Sequence, residues 1–333
     1  MKAVVQYRYG SAESLSVREV ETPVPAEGEV LVRVHASSVN AREWHVMRGD
    51  PYLARLAFRE VFGARGPKRT IRGSDLAGRV EAVGPSVTRF QPGDEVYGDA
   101  RELDGAFAEY VCVPEGQLAF KPANLTFEQA ATVPLAGATA LVGLREAARV
   151  QPGQRVLVNG ASGGVGTFAV QIGKALGAEV TGVCSTRNAD LVRSLGADHV
   201  VDYTRDDFAR APERYDVVFD LVANRALADL RRVLTPAGTL IFSGGGVSGR
   251  RPQLFGPMTL TIAGQLAARF VRHRLVLLNN VPPRAETLQA LRELIESGQV
   301  TPVIDRTYKL AEAPAAVRYL QVEHARAKVA ITM

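Results

Sequence analysis

"NGASGGVGTFAVQIGKALGA" (residues 159–178) decides how the rest of this chain is read. Small residues crowd in after an apolar strand, "RVLVNGA" (155–161), and an amphipathic helix, "VGTFAVQIGKALG" (165–177), follows at once. Gly160, Gly163, Gly164 and Gly166 therefore lie on a strand-to-helix turn. Glycines at such a turn permit a tight bend and let the backbone approach a pyrophosphate, which rests on amide donors at the helix N-terminus. A side chain at Gly164 or Gly166 is expected to occupy the space that contact requires. The spacing also suits a glycine-rich turn that holds nothing. The surrounding strand–helix–strand unit favours the ligand.

Outward from the loop, strands and helices alternate. "EVTGVCS" (179–185), "HVVDY" (199–203), "YDVVFDLV" (215–222) and "GTLIFSGG" (238–245) read as buried strands, with helices at 189–196 and near 224–234. Val- and Ile-rich strands alternating with helices specify a parallel, doubly wound sheet, so the fold class is α/β. Just upstream, 126–148 has helical spacing, with Thr126 as its N-cap and Glu128 and Gln129 in the first turn. The first third differs. "EVLVRVHASSV" (29–39), "AGRVEAVG" (77–84) and "AEYVCVP" (108–114) alternate apolar and polar residues between Gly/Pro breaks, which predicts a small barrel or sandwich. The tail departs from the alternation again, with a helix over 285–300, a second over 311–323 and a last strand, "KVAITM".

The composition is that of a globular protein. The chain has 333 residues, 46% hydrophobic and 23% charged, and a net charge of +5. That length suits two domains. The basic runs "ARGPKRTIR" (64–72) and "RFVRHR" (269–274) carry none of the interleaved aromatics on which bases stack, so no nucleic-acid partner is expected. No apolar run has the length of a membrane helix, and "MKAVVQYRYG" turns polar too soon for a signal peptide, so no membrane partner and a reduced, cytoplasmic compartment are expected. Cys112 and Cys184, both in apolar runs, read as small buried hydrophobes. "RLVLLNN" (274–280) reads either as an inner strand or as an edge that pairs two copies into a homodimer.

The end of the second strand of the doubly wound unit bears on the dinucleotide. A NAD site commonly places Asp or Glu there, against the ribose 2′-hydroxyl. This strand ends "GVCSTRN" (182–188), with no acid until Asp190, and Ser185, Thr186 and Arg187 suit a 2′-phosphate. Arg187 also reads as a solvated residue before a helix. The missing acid points to NADP(H).

"GDEVYG" (93–98), "GAFAEYVCVP" (105–114), "LAGATAL" (135–141), the stretch 160–188 and "LGADHVVDY" (195–203), in that order, resemble the medium-chain dehydrogenase/reductases. The resemblance implies a GroES-like β domain over 1–123, completed by 300–333, and a Rossmann domain over 124–299, with the cofactor in the cleft between them. Within the family the chain resembles the zinc-free quinone oxidoreductases. Zinc alcohol dehydrogenases carry a Cys ligand where this chain has "SVNAREW" (38–44), Gly-His-Glu where it has Gly73-Ser74-Asp75, and a third ligand in the segment that here reads "LAGATAL". Two cysteines in all cannot build a four-cysteine zinc lobe, so no metal is expected.

The resemblance also assigns residues. Asn40 stands in the family's "SxN" turn and contacts the acceptor or a water, or only shapes the turn. Trp44, the one tryptophan, walls the substrate pocket or belongs to the core. Asp75 replaces the family's Glu. Thr139 lies on the nicotinamide side. Ser162, Gly163, Gly164 and Val165 form the loop, with Ser185, Arg187, Ser243 and Gly244 at strand ends. Tyr203 stands near the adenosine phosphate, or simply packs. In the tail the family's "EGHARGK" reads Glu323-His324-Ala325-Arg326-Ala327-Lys328, which gives His324, Ala325 and Arg326 as cofactor contacts and loses a glycine at Ala327.

Without a Lewis acid the accessible reaction is hydride transfer from NADPH to an acceptor that is already electron-poor, a small electrophile such as a quinone or an α,β-unsaturated carbonyl. No tyrosine has Lys four residues on, which sets the short-chain reductase mechanism aside. Two other classes compete. One is a redox-sensing or scaffold protein that binds NADP(H) with little turnover. The other is a methyltransferase on the same core, which leaves the β-rich first third unexplained.

Overall fold

The computed structural model describes residues 1–50, 52, 55, 59, 61–63, 65–100, 104–244, 271–278, 281–323 and 325–333. The chain divides into two compact units. The first comprises Met1–Ala138, Pro282–Ser297 and Pro302–Met333, and the second Thr139–Val281 and Gly298–Thr301.

The first unit begins with a hairpin of β1 (Lys2–Val5) and β2 (Ser16–Glu19). Its main sheet uses β3 (Glu29–Val39), β4 (Asp75–Val83), β5 (Glu95–Asp99), β6 (Tyr110–Pro114) and β7 (Leu118–Phe120). β3 is the hub: it pairs antiparallel with β4 and with β6. Val30, Val32, Val34, Leu76, Val96 and Leu118 alternate inward from these strands into one core. Helix α1 (Ala41–Arg48) leaves the end of β3 directly.

The expected helix over 126–148 is broken in two and then widens. α2 (Phe127–Ala131) starts at Thr126, whose hydroxyl accepts from Gln129 N while Thr126 N donates to the Gln129 side chain. Pro134 then opens α3 (Pro134–Leu141), since a residue without an N–H fits a helix start and not its interior. Val142–Ala148 continues as π-helix.

The second unit is a six-stranded parallel sheet. Its strands are β8 (Arg155–Asn159), β9 (Glu179–Cys184), β10 (His199–Asp202), β11 (Tyr215–Asp220), β12 (Leu234–Phe242) and β13 (Arg274–Leu277), in the order β10-β9-β8-β11-β12-β13. Val156, Leu157 and Val158 are wholly buried, as a strand covered on both faces must be. Helices α4 (Gly164–Ala175), α5 (Ala189–Ser194) and α6 (Leu227–Arg232) make the crossovers. The order reverses between β8 and β11, which is the doubly wound arrangement read from the sequence. At that switch point the C-terminal strand ends diverge and leave room for a ligand. β13 forms one edge of this sheet.

The remaining elements return to the first unit. α7 (Ala285–Glu296) is held there by Tyr97 Oη donating to Leu288 O and Asn124 Nδ2 donating to Ile295 O. Residues 124–138 and 282–297 thus pack with the first unit. β14 (Ile304–Lys309), α8 (Ala313–Val322) and β15 (Lys328–Thr332) follow, and β15 lies antiparallel against β3, with Val329 opposite Val39.

Candidate active site

In the second unit, β8 ends at Asn159 and the chain bends through Gly160, whose φ is +91°. The N–H groups of Gly160 and Ala161 both donate to Val183 O, which ties the bend to β9. Gly163 caps α4 in an extended conformation, φ −84° and ψ 177°, and accepts from Thr167 N. The N–H groups of Gly164, Val165 and Gly166 form the first helical turn, where no intrahelical carbonyl is in reach, so they present donors to an anion.

The glycines divide their work. A Cβ on Gly166 would stand 2.1 Å from Gly160 O, so Gly166 is glycine because helix and strand meet there, and not to clear a ligand as the spacing alone suggested. A Cβ on Gly163 would meet only Gly160 O, at 3.4 Å, an ordinary contact. Space beside Gly163 is therefore left open by the protein itself.

Asn188, absent from the residues singled out in the sequence, stands beside this loop. It is buried, donates from Nδ2 to Ser162 Oγ at 3.0 Å, and its Oδ1 has no partner. An orphaned buried acceptor next to a row of amide donors fits a dinucleotide, which carries both phosphate oxygens and ribose hydroxyls. Ser185 precedes the short turn Thr186–Asn188, and Arg187 is exposed.

The sequence reading missed an acid here. β10 lies parallel to β9 with Asp202 opposite Cys184, which brings Asp202 to Thr186. Thr186 Oγ1 donates to Asp202 Oδ2 at 2.5 Å, and Thr204 donates to Oδ1 from both its hydroxyl and its N–H. These donors, Thr186 foremost, hold the carboxyl below the usual range. Tyr203, next to it, is 54% exposed, so packing does not account for it.

At the switch point Asn159 Nδ2 donates to Asp220 Oδ1, which also accepts from the N–H groups of Val222 and Ala223. Asp220 Oδ2 is buried without a partner, and burial pushes the carboxyl up. Ser243 N donates to Asp220 O, while the Ser243 hydroxyl is spent on Leu278 O. Gly244 follows at φ +91°. Thr139 is buried in α3.

In the first unit, Asn40 ends β3 and precedes α1. Its backbone N–H donates to Glu43 Oε2 at 2.6 Å, as the N3 acid of a capping box does. The Asn40 side chain turns to Asp75: Nδ2 donates to Oδ2 at 2.9 Å, and Lys328 Nζ donates to Asn40 Oδ1 at 2.5 Å. Asp75, wholly buried, also accepts from Ser38 Oγ and, on Oδ1, from Leu135 N in the first turn of α3. Ser74 Oγ donates to Glu43 Oε1 at 2.8 Å. Burial pushes Glu43 up to about 7; Arg42 opposes the shift and Asp75 adds to it.

Trp44 does not join this cluster. It packs with Val4, Leu15, Met47, Phe107 and Val317, so of its two readings the core is the one its packing matches. Arg72 and Arg42 converge on Asp104 nearby.

Comparison with known proteins follows the same two units. The chain is 34% identical over 343 residues to a 2-methylene-furan-3-one reductase of Solanum lycopersicum, covering 99% of this chain and 79% of that one. The chain is a medium-chain dehydrogenase/reductase. It belongs to the zinc-free quinone oxidoreductase branch of that superfamily. It is also 32% identical to an NADPH-dependent alkenal/one oxidoreductase, chloroplastic, of Arabidopsis thaliana, with the same coverage. A quinone oxidoreductase structure from Coxiella burnetii superposes with a TM-score of 0.84 at 27% identity, over 100% of this chain and 99% of that one. A family model described as alcohol dehydrogenase GroES-like domain matches residues 26–123, and one described as zinc-binding dehydrogenase matches 195–331. The second match lies outside Asn40, Ser74 and 135–141, where zinc-dependent members of the superfamily carry ligands. Among the described residues no group of three His, Cys, Asp or Glu is placed to hold a metal ion.

In the tail of this medium-chain dehydrogenase/reductase an alanine takes the backbone conformation a glycine would favour. Ala327 adopts φ +64°, the left-handed conformation that glycine takes without strain, and is buried. Arg326 N donates to Asp305 Oδ2, and Ala325 packs against the Trp44 core. His324 lies outside the described residues.

Proposed function

We propose that this protein uses NADPH to reduce an electron-poor small molecule, a quinone or an α,β-unsaturated carbonyl. The observation that carries the reading is the hydrogen-bonded cluster at Asn40, Asp75, Ser74 and Lys328. The ammonium, the hydroxyl and one carboxamide N–H are engaged within the cluster, and the second Nδ2–H of Asn40 is the donor it leaves for an acceptor oxygen. Bound NADPH supplies the hydride from its nicotinamide ring. The residues of this chain bind and orient: the Gly164–Gly166 amides receive the pyrophosphate, Ser162, Gly163, Thr139, Ser243 and Gly244 flank the dinucleotide, and Asn40 receives the acceptor oxygen. The relatives' names, one an NADPH-dependent alkenal/one oxidoreductase, support both the cofactor and the acceptor class. The second unit, Thr139–Val281 with Gly298–Thr301, serves as the dinucleotide domain, and the first unit, which takes in 124–138 and 282–297 of the stretch expected to be Rossmann, as the acceptor domain.

The test is NADPH oxidation against a panel of quinones, enals, aldehydes and ketones, before and after dialysis against a strong chelator. Quinones or enals should react fastest, with no loss on chelation. Faster turnover of simple aldehydes or ketones, lost with a bound zinc, would overturn the reading.

Cofactor choice rests on Ser185 and Arg187. A 2′-phosphate meeting a guanidinium gains charge-assisted hydrogen bonds of about 1.5–3 kcal/mol, roughly 10- to 150-fold in affinity. Arg187→Ala should erase most of the NADPH preference while leaving NADH binding nearly unchanged, read as paired dissociation constants at one ionic strength. Equal weakening of both cofactors would assign Arg187 to the fold.

The cytoplasm suits the two free cysteines, whose thiols burial pushes up to about 11, away from the reactive range. No helix among the described residues is long and apolar enough to cross a membrane. β13, at the sheet edge, suits pairing of two copies, which a monomeric mass in sedimentation would contradict.

A further inference from the structure

Lys328 opens β15 with 2% of its surface exposed. A lone ammonium so placed is costly, and it persists only against partners. Its Nζ has two: Asn40 Oδ1 at 2.5 Å and Asp75 Oδ2 at 3.4 Å. These partners decide which way round the Asn40 carboxamide sits. An ammonium only donates and an ionised carboxylate only accepts, so Oδ1 must face Lys328 and Nδ2 must face Asp75. One Nδ2–H is then taken by Asp75, and the other leaves the amide in a direction set by covalent geometry.

We propose that Lys328 is a positioning residue for hydride transfer, locking the Asn40 carboxamide so that its second Nδ2–H meets the acceptor oxygen. The inference rests on the reading of the protein as a quinone or enone reductase. Hydride adds to a carbon of the acceptor, the displaced electron pair moves onto the acceptor oxygen, and that oxygen takes its proton from water. A donor already aimed at that oxygen is worth most at the moment when charge builds there. Ionisation of Asp75 is part of the lock. Burial pushes this carboxyl up and Asp99 adds to the push, while Lys328, Asn40 and Ser38 oppose it; Glu43 lies on the adjoining helix. Without the ammonium, a charge that opposes this push is gone, and a carboxyl that binds a proton no longer fixes the amide's orientation.

Lys328→Met tests this in the full-length protein, with NADPH binding, steady-state kinetics on 1,4-naphthoquinone, and the Asn40 side-chain amide signals in 15N NMR. NADPH affinity should hold, kcat should fall about 100-fold, as for a misplaced catalytic contact, and the kcat–pH profile should gain a limb from Asp75. The two Asn40 amide protons, distinct and slowly exchanging in the wild type, should merge into the exchanging background. Lys328→Arg, which keeps the charge, should recover part of kcat. If Lys328→Met fails to fold, Lys328→Met/Asp75→Asn removes both charges at nearly constant volume and should fold with kcat still low. A normal kcat and pH profile in either folded variant, with only the melting temperature lowered, overturns the proposal, as does an equal loss of NADPH affinity. The NMR signals separate this failure from failure of the reductase reading, because they need no turnover.

Discussion

Gly163→Val is expected to leave the protein folded and to remove its cofactor binding. The backbone at Gly163 is extended, φ −84°, which any residue adopts, and a Cβ there meets nothing closer than Gly160 O at 3.4 Å. The melting temperature should therefore move by no more than about 2 °C, the scale of a substitution that breaks no packing. The same side chain projects into the space where a pyrophosphate would approach the amides of α4. Losing two charge-assisted hydrogen bonds, at about 1.5 kcal/mol each, weakens NADPH at least about 100-fold. Gly166→Ala makes the contrasting case: its Cβ would stand 2.1 Å from Gly160 O, so stability and binding should fall together. Fluorescence titration and thermal unfolding on both variants give the comparison. Near-normal NADPH affinity in Gly163→Val would show that the loop holds no pyrophosphate.

Glu43→Gln should make stability less dependent on pH. Burial raises this carboxyl from its ordinary 4.5 to about 7, with Arg42 opposing and Asp75 and Asp104 adding. Between those values the folded protein holds a proton that the unfolded chain has released. The stability due to protonated Glu43 is thus fully present below about pH 4.5 and is lost as pH rises through about 7, a loss of about 3 kcal/mol. Gln mimics the protonated acid, accepting from Asn40 N and donating to Ser74 Oγ. The variant should match the wild type near pH 5 and exceed it by up to about 3 kcal/mol at pH 8. Denaturant unfolding at several pH values reads the difference, and a difference that stays constant with pH would contradict the burial argument.

What the sequence disclosed and what it hid divide along contact range. The glycine loop and the alternation from β8 to β12 are local patterns, so strand, turn and helix could be read from neighbouring letters. The break at Pro134 was equally local and was overlooked inside a long apolar run. Asn188 and Asp202 are different. Each matters because parallel register sets it beside a residue of another segment, Ser162 in one case and Thr186 in the other. Periodicity within one strand carries no such information. Lys328 and Glu43 were hidden for the same reason, since an ammonium 288 residues from Asn40 looks like any surface lysine until β15 is laid against β3. Trp44 was left open for another reason. A single aromatic on a two-turn helix fits its core face or its pocket face equally, and only packing chooses.

The placement of β15 also bears on how the protein is made. β3 is complete when residue 39 has been synthesised, but its partner Val329 comes 290 residues later. At ribosomal rates of 5–20 residues per second that interval is about 15–60 s. The second unit is nearly continuous in sequence and can close as it emerges. The first unit waits with one edge of its central strand unpaired and with Asp75 lacking its counter-charge, a template for mispairing on the nascent chain. Without β15 that waiting state would be permanent, so the fold of the first unit depends on a strand made 290 residues after the one it pairs with.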